Sequence, residues 1–487
     1  MMNLKDILYK LPIEVVWGNT DLSIRNITFD SSKVSEGDLF VAIKGTNADG
    51  HRYIEDAISK GAKAVVCEQL PENRPDKVTF IGVSDSKKAV ALIAANFYGH
   101  PSGKLKLVGV TGTNGKTTVA TLLYELFRKL NHKAGLLSTI AVKINGNSID
   151  ATHTTPDSIS INHYLDEMVK AGVEYCFMEV SSHGIHQQRT SGLNFAGGIF
   201  TNLTHDHLDY HKTFAEYRDV KKSFFDQLPK DAFALINADD KNGGFMLQNT
   251  PAQKYTYAVK TDADFKTKLL ENQFDGLVLK IDNNEIYTKL IGLFNAYNLT
   301  AIYGAAMILG AEKLEVLRLL TELETVSGRF QFIRSQQKIV AIVDYAHTPD
   351  ALKNVLETIN EIRTHNEKLI TVVGCGGNRD KQKRPVMAEV ASSMSDLSIF
   401  TSDNPRNEDP ETIIREMEVG IPPQYTNKVL SIVDRKQAIR TACSLANPND
   451  IILVAGKGHE KYQETKGVRT HFDDMETVDE TLQSLNK

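Results

Sequence analysis

Leu105-Lys106-Leu107-Val108-Gly109-Val110-Thr111-Gly112-Thr113-Asn114-Gly115-Lys116-Thr117-Thr118 decides how the rest of this chain is read. Residues 105–110 form an apolar run that reads as a buried strand, and Val119, Leu122, Leu123, Leu126 and Leu130 then recur at helical spacing. The order is strand, glycine-rich turn, helix, in which backbone N–H groups and a helix N-terminus surround phosphate oxygens. Lys116 is placed to reach the terminal phosphates and the Thr117 hydroxyl to hold Mg²⁺. The plain phosphate-loop signature has a glycine five residues before Gly115; this chain has Val110 there, so the loop is a variant. A Gly-Lys-Thr tripeptide alone is also compatible with a solvated turn at a helix start, and it is the flanking strand and helix that favour a nucleotide.

Working outward, residues 38–43 and 62–67 read as buried strands and 86–98 as a helix, which His100-Pro101-Ser102-Gly103 ends. Beyond the loop, strands are expected at 175–180, 198–201 and 232–237. After the polar segment Arg334-Ser335-Gln336-Gln337 the alternation resumes, with strands at 339–343, 369–373, 397–401 and 451–454. Helices are expected after Pro349, Pro385 and Pro410. Such alternation implies mostly parallel sheets covered by helices. The expectation is an α/β protein of three domains: a small α/β unit over 1–100, a central parallel-sheet nucleotide domain over 101–335, and a Rossmann-like domain over 336–487.

The 487 residues carry 56 Lys and Arg against 61 Asp and Glu, a formal net charge of −5, which argues against nonspecific nucleic-acid binding. With 41% hydrophobic and 24% charged residues the composition is that of a globular chain and excludes collagen-like or disordered classes. No apolar run approaches the ~18–20 residues that span a bilayer. Residues 1–17 interleave Lys5, Asp6, Lys10 and Glu14 with apolar residues, unlike a secretion signal, so a cytoplasmic protein without membrane insertion is expected. Cys67, Cys176, Cys375 and Cys443 lie far apart with no C-x-x-C pair, and read as buried thiols.

Glu179 ends an apolar stretch in Met178-Glu179-Val180-Ser181-Ser182-His183-Gly184, where open α/β sheets present ligands, and a carboxylate beside a phosphate loop suits Mg²⁺. Asn202-Leu203-Thr204-His205-Asp206-His207-Leu208-Asp209-Tyr210-His211 is dense in metal-capable side chains. His205, His207 and Asp209 fit a His-x-His-x-Asp-His zinc-hydrolase pattern, but Tyr210 stands where its last histidine belongs. A solvated loop or a structural histidine cluster is the blander alternative.

The loop 107–118 resembles the ATP loop of the Mur ligases, the ATP-dependent amino-acid-adding enzymes of peptidoglycan synthesis, whose variant spacing it shares with the related folylpolyglutamate synthetases. The resemblance extends over essentially the whole chain and implies an ATP site at Gly112, Thr113, Asn114, Gly115, Lys116, Thr117 and Thr118. To these it adds Asn295 and Asn298 of Gly292-Leu293-Phe294-Asn295-Ala296-Tyr297-Asn298, Arg329 of Ser327-Gly328-Arg329, and Asp344 and His347 of Asp344-Tyr345-Ala346-His347. It assigns Thr117, Glu179, His207 and a carbamylated Lys221 to metal, with two Mg²⁺ expected, and gives Lys116, Lys221 and His207 the catalytic roles. Neighbouring Lys222 leaves the lysine register open.

The same resemblance places a UDP-muramyl-dipeptide site at Ser31, Thr46, Asn47, Ala48, Thr154, Thr155, Ser181, Gln187 and Arg189. Ser402-Asp403-Asn404-Pro405-Arg406-Asn407-Glu408-Asp409-Pro410 resembles the Asp-Asn-Pro-Arg motif of Mur ligases that add meso-diaminopimelate. That amino acid is lysine-like with an extra distal carboxylate, which a guanidinium binds in bidentate fashion. Arg379, Asp403, Asn404, Pro405, Arg406, Gly456 and Glu460 are the implied acceptor contacts. The implied activity joins the acceptor amine to the D-glutamyl γ-carboxylate of UDP-MurNAc-L-Ala-D-Glu through an acyl phosphate. The three domains would bind the UDP substrate, ATP and the amino acid in that order, in a monomer whose partners are small molecules. A lysine-adding ligase, a zinc hydrolase and a non-catalytic nucleotide module are the alternatives.

Overall fold

Strand Lys106–Thr111 is buried from its second residue onward, as a parallel strand covered on both faces must be. The computed structural model describes residues 1–487 except 46, 47, 152, 205 and 207, with the backbone alone at 208 and 209. Among the described residues the strands form three large sheets, of five, eleven and six strands in chain order.

In the middle sheet Lys106–Thr111 lies between Tyr175–Glu179 and Gly197–Phe200, parallel to both. Val108 and Val110 face one core with Leu122, Leu126 and Ile302, while Leu107 faces the other with Leu165, Phe224 and Phe225. This is the period of two that puts successive residues on opposite sides of a strand. Helices Lys116–Lys129 and Leu293–Ile308 therefore cover one face, and Ser158–Lys170 and Phe214–Asp226 the other. From Lys106–Thr111 the chain builds strands on one side of it and then crosses from Tyr175–Glu179 to Gly197–Phe200 on the other, so the loop after Lys106–Thr111 lies at a topological switch point.

The third sheet places Val340–Asp344, Ile451–Ala455, Leu369–Cys375 and Leu397–Ser402 side by side and parallel, so four loops leave its carboxyl end together. Gln331–Arg334 pairs antiparallel with Val340–Asp344, so the polar segment 334–337 ends a strand at Arg334 and otherwise lies in the hairpin turn at the sheet's edge. In the first sheet Ile13–Trp17 runs antiparallel to Thr79–Val83, followed by parallel Ala64–Cys67, Leu39–Val41 and Ile27–Thr28.

The helix expected after Pro385 begins at Lys383 instead, because a proline in the first helical turn has no intrahelical N–H bond to lose. Several antiparallel additions were not foreseen, among them Ile13–Trp17, Gln331–Arg334, Ala141–Ile144 with Asn147–Asp150, the strands Phe265–Gln273, Gly276–Ile281 and Asn284–Thr288, and the hairpin Tyr462–Thr465 with Val468–His471. All four cysteines are free and buried, as expected. Among the described residues no helix is long and apolar enough to cross a membrane.

Candidate active site

The loop after Lys106–Thr111 needs glycine for contact reasons. At Gly112 (φ 149°) a Cβ would come within 1.9 Å of the Thr201 hydroxyl, and at Gly115 (φ 86°) within 2.7 Å of Asn298 Oδ1. The neighbouring strand end grips the loop. Thr113 N donates to Asn202 O (2.8 Å), Asn114 N donates to Asn202 Oδ1 (2.9 Å), and the Thr201 hydroxyl donates to Asn114 O (2.6 Å). With Thr113 and Asn114 held this way, the first-turn amides of helix Lys116–Lys129, including that of the buried Thr118, are the ones directed at a ligand. Asn114 Nδ2 and Arg329 Nε are buried donors without a partner among the described residues, which suits an anionic ligand here.

Two ammonium groups, that of the half-buried Lys116 and that of the buried Lys221, share this loop. Lys116 Nζ donates to Gly112 O (3.1 Å) and Thr113 O (2.7 Å), and Lys221 Nζ donates to the same Gly112 carbonyl at 2.8 Å. Burial pushes both below the ordinary lysine range; for Lys221 the charge of Lys116 adds to the effect, while Glu179 opposes it at Lys116. Lys222 instead turns to Asp226 at 2.6 Å, so Lys221 is the lysine that faces the loop. The Thr117 hydroxyl donates to Glu179 Oε2 (3.0 Å), and Thr139 N donates to Glu179 Oε1 (2.7 Å). Thr139 was not foreseen: it contributes through its backbone, which leaves no signature in sequence.

On the flank of Glu179, Thr155, Ser181, Gln187 and Arg189 form one network. The Thr155 hydroxyl lies 3.0 Å from Ser181 Oγ, Arg189 Nη1 donates to Thr155 O (2.6 Å), and Arg189 Nη2 donates to Gln187 Oε1 (2.7 Å). Thr154 joins through Thr139 Oγ1 at 3.0 Å. Asn298 Nδ2 donates to Asn295 Oδ1 (3.0 Å), which pairs those two beside Gly115. Ser31 and Ala48 lie in the first unit, where Ser31 O accepts from Lys60 and Ala48 O from Gly45 N. Thr46, Asn47 and His207 lie outside the described residues, as does His205 of the zinc pattern.

A hinge joins this site to the third sheet. Arg329 Nη2 donates to the Thr117 hydroxyl (3.0 Å), and its guanidinium stacks 4.6 Å from the Tyr345 ring centre. Tyr345 in turn stacks on His459, and a Cβ on Gly328 (φ 67°) would meet His459 N at 2.0 Å. The Asp344 carboxylate accepts from Phe330 N (2.6 Å) and Ala346 N (2.8 Å), which fixes the same segment. Burial holds the His347 imidazole down to about 4 and His459 to about 3, with the Lys383 and Arg329 charges acting in the same sense.

At the carboxyl end of the third sheet, Asn404 Nδ2 donates to Glu460 Oε2 (2.7 Å), and the buried Lys457 ammonium bridges Asn404 Oδ1 (3.1 Å) and Glu460 Oε2 (3.3 Å). Burial and the nearby Asp403 raise the Glu460 carboxyl above its ordinary range. A Cβ on Gly456 (φ 119°) would come within 2.7 Å of Asp403 Oδ2. Arg406, at φ 51° after Pro405, donates through Nη1 to Gly377 O (2.8 Å), while Arg379 is exposed on the adjoining turn. The unforeseen hairpin 462–471 is stitched in: Glu464 N donates to Asn404 Oδ1 (2.9 Å), and Gln463 Nε2 donates to Asp403 O (2.7 Å). Lys457, too, was passed over, although it stands inside the Gly456–Glu460 string.

A phosphate loop on one sheet, joined by a short hinge to an arginine-bearing turn on the next, defines a nucleotide-dependent ligase. The chain belongs to the Mur ligase family. Residues 110–306 match the Mur ligase middle domain, 328–458 the Mur ligase glutamate ligase domain, and 23–98 the Mur ligase family catalytic domain. The UDP-N-acetylmuramoyl-L-alanyl-D-glutamate–2,6-diaminopimelate ligase of Cytophaga hutchinsonii is 57% identical over 487 residues, which cover all of both chains. A solved structure of a ligase of that name is 31% identical with a TM-score of 0.70, covering 100% of this chain and 99% of the other. The MurF ligase of Thermotoga maritima in complex with ADP shares the fold at 19% identity and a TM-score of 0.62, covering 94% of this chain and 97% of that one.

Proposed function

We propose that this chain joins meso-diaminopimelate to the D-glutamyl γ-carboxylate of UDP-MurNAc-L-Ala-D-Glu with ATP, in the cytoplasmic synthesis of peptidoglycan precursors. The observation that carries the reading is the full-length 57% identity to the diaminopimelate ligase of Cytophaga hutchinsonii. Arg406 beside Asn404 and Glu460 is its chemical counterpart, a guanidinium for a distal carboxylate next to a carboxylate for an ammonium.

In this reading residues 1–100 bind the uridine end through Ser31, Thr46, Asn47 and Ala48, residues 101–335 bind ATP, and residues 336–487 bind the amino acid. Thr154, Thr155, Ser181, Gln187 and Arg189 hold the dipeptide, with Arg189 offering charge to a carboxylate. Gly112 to Thr118, with Asn295, Arg329 and Asp344, hold ATP. The γ-carboxylate oxygen attacks the γ-phosphorus and ADP leaves; the acceptor amine then attacks the acyl carbon, gives up a proton, and phosphate departs. Lys116 and the helix amides meet the charge that moves onto the transferring phosphoryl group. Arg379, Asp403, Asn404, Pro405, Arg406, Gly456 and Glu460 orient the acceptor.

The Thr117 hydroxyl and the Glu179 carboxylate, 3.0 Å apart and buried, are the hard oxygen donors that Mg²⁺ prefers, with His207 and a carbamylated Lys221 completing the set for two ions. Bound there, Mg²⁺ offsets phosphate charge. Lys221 suits carbamylation, because burial favours the neutral amine that reacts with carbon dioxide. The reading takes the active unit to be a monomer.

The test is phosphate release from ATP with UDP-MurNAc-L-Ala-D-Glu and either meso-diaminopimelate or L-lysine. Release with diaminopimelate alone is expected. Release with lysine keeps the ligase but removes the role given to Arg406, and silence with both overturns the proposal.

A further inference from the structure

Arg384, on the first turn of helix Lys383–Met394, is wholly buried, and its hydrogen bonds among the described residues go to none of the proposed ligand groups. Its two terminal nitrogens donate to Glu408 in bidentate fashion, Nη1 to Oε2 (2.9 Å) and Nη2 to Oε1 (3.0 Å). Nη1 also meets Glu416, and Nη2 donates to Gly376 O (3.3 Å). Glu408 accepts the Asn378 N–H as well and lies 3.5 Å from the Lys381 ammonium, so its oxygens are fully engaged. These partners, with the Arg384 fork first among them, hold the Glu408 carboxyl down to about 2.

Glu408 lies two residues beyond Arg406 on the same turn. Both side chains border Gly377: the Arg406 guanidinium donates to its carbonyl, and a Cβ built there would come within 3.3 Å of Glu408 Cβ. The turn itself is pinned, because Arg406 N donates to Glu464 O (3.0 Å) and Arg406 O accepts from Lys466 N (2.6 Å). A guanidinium carries five N–H donors, and the one hydrogen bond to Gly377 leaves the rest of the fork for an incoming carboxylate. An ionised Glu408 released from Arg384 would be an anion on the same turn, next to that fork.

We infer that Arg384 is a positioning residue that sets acceptor affinity by keeping Glu408 off Arg406. The inference rests on the reading of Arg406 as the contact for the acceptor's distal carboxylate. Removing Arg384 should then let Glu408 occupy Arg406 and compete with substrate, and removing the Glu408 charge as well should free Arg406 again. A purely structural Arg384 predicts the opposite for the double variant, which loses one more contact.

The experiment compares Arg384→Met, Arg384→Met/Glu408→Gln and Arg406→Ala in phosphate-release assays on the full chain. Arg384→Met should raise the meso-diaminopimelate KM about tenfold or more with the ATP KM unchanged, the scale of one charge-assisted hydrogen bond. The double variant should recover most of that rise. A double variant as impaired as the single one, or an ATP KM that rises in parallel, overturns the inference. If Arg384→Met fails to fold, Arg384→Lys with and without Glu408→Gln is read in the same way. Arg406→Ala separates the two levels: no rise in diaminopimelate KM removes the underlying reading, whereas a rise without rescue by Glu408→Gln removes this inference alone.

Discussion

The middle and third sheets both bury cations, and they treat them differently. Lys116 and Lys221 donate to carbonyl oxygens of Gly112 and Thr113 beside the phosphate loop. In the third sheet Arg384 faces Glu408, Arg435 faces Asp474 (2.8 and 2.7 Å), and Lys457 reaches Glu460. A buried charge that meets a fixed carboxylate is neutralised where it stands and serves as scaffold. One that leans on neutral oxygens either keeps its field for an arriving anion, as Lys116 does, or sheds its proton, as burial favours at Lys221. The contrast separates the groups that act on phosphate from those that hold the acceptor turn in shape.

The largest effect expected from this contrast is chemical. Lys116→Met should lower kcat by about 10³-fold or more, the scale of removing a preorganised group from developing charge. Its folding free energy should stay about level, because the half-buried ammonium donates to loop carbonyls and forms no hydrogen-bonded ion pair that its loss would break. Urea unfolding beside ATP turnover checks both halves; a stability loss of more than about 2 kcal/mol, typical of a broken buried network, would place Lys116 with the scaffold instead. Arg435→Met is the converse case. Removing one partner of a wholly buried pair costs about 3–5 kcal/mol, and Arg435→Met/Asp474→Leu should regain most of it. A single variant as stable as the parent chain would erase the distinction.

Arg406→Ala comes next in size. Loss of a charge-assisted contact worth about 1.5–3 kcal/mol should raise the diaminopimelate KM by roughly 10- to 100-fold and leave that for ATP alone. The thermal midpoint should hardly move, since among the described residues the side chain donates only to Gly377 O.

These residues were not equally visible in sequence. The phosphate loop is contiguous, and the strand before it and the helix after it are set by local apolar spacing, so both the loop and Glu179 at the next strand end were legible. The buried cations leave a subtler trace, each standing on an apolar stripe. Arg384 precedes Met387, Ala388 and Ala391, Arg435 precedes Ala438, Ile439 and Ala442, and Lys221 precedes Phe224, Phe225 and Leu228, always at i+3, i+4 and i+7. A charge in that position signals burial. What it cannot signal is the partner, because Glu408 lies 24 residues from Arg384 and Asp474 lies 39 from Arg435. The hairpin 462–471 was missed for a related reason. Its second strand is exposed throughout and carries no apolar alternation, and its hold on Asn404 spans 60 residues.

Acid sharpens the comparison further, with the smallest expected effect, because the hinge and the acceptor turn should weaken in different pH ranges. His347 is held near 4 against an ordinary 6.5, so the unfolded chain binds a proton that the native hinge refuses. Stability is then fully present above pH 6.5 and falls as the pH drops from 6.5 to about 4. Glu408 is held near 2 against 4.5, so its contribution is complete above pH 4.5 and disappears only as the pH falls from there through about 2. Thermal midpoints followed from neutral to acid pH should therefore decline in two limbs. His347→Asn should make the first shallower, with His459, held near 3, supplying the rest, and Glu408→Gln should make the second shallower. If Glu408→Gln instead left the limb below pH 4.5 unchanged, the carboxylate would be titrating at its ordinary value without the Arg384 fork, and the scaffold assigned to the acceptor turn would have to be given up.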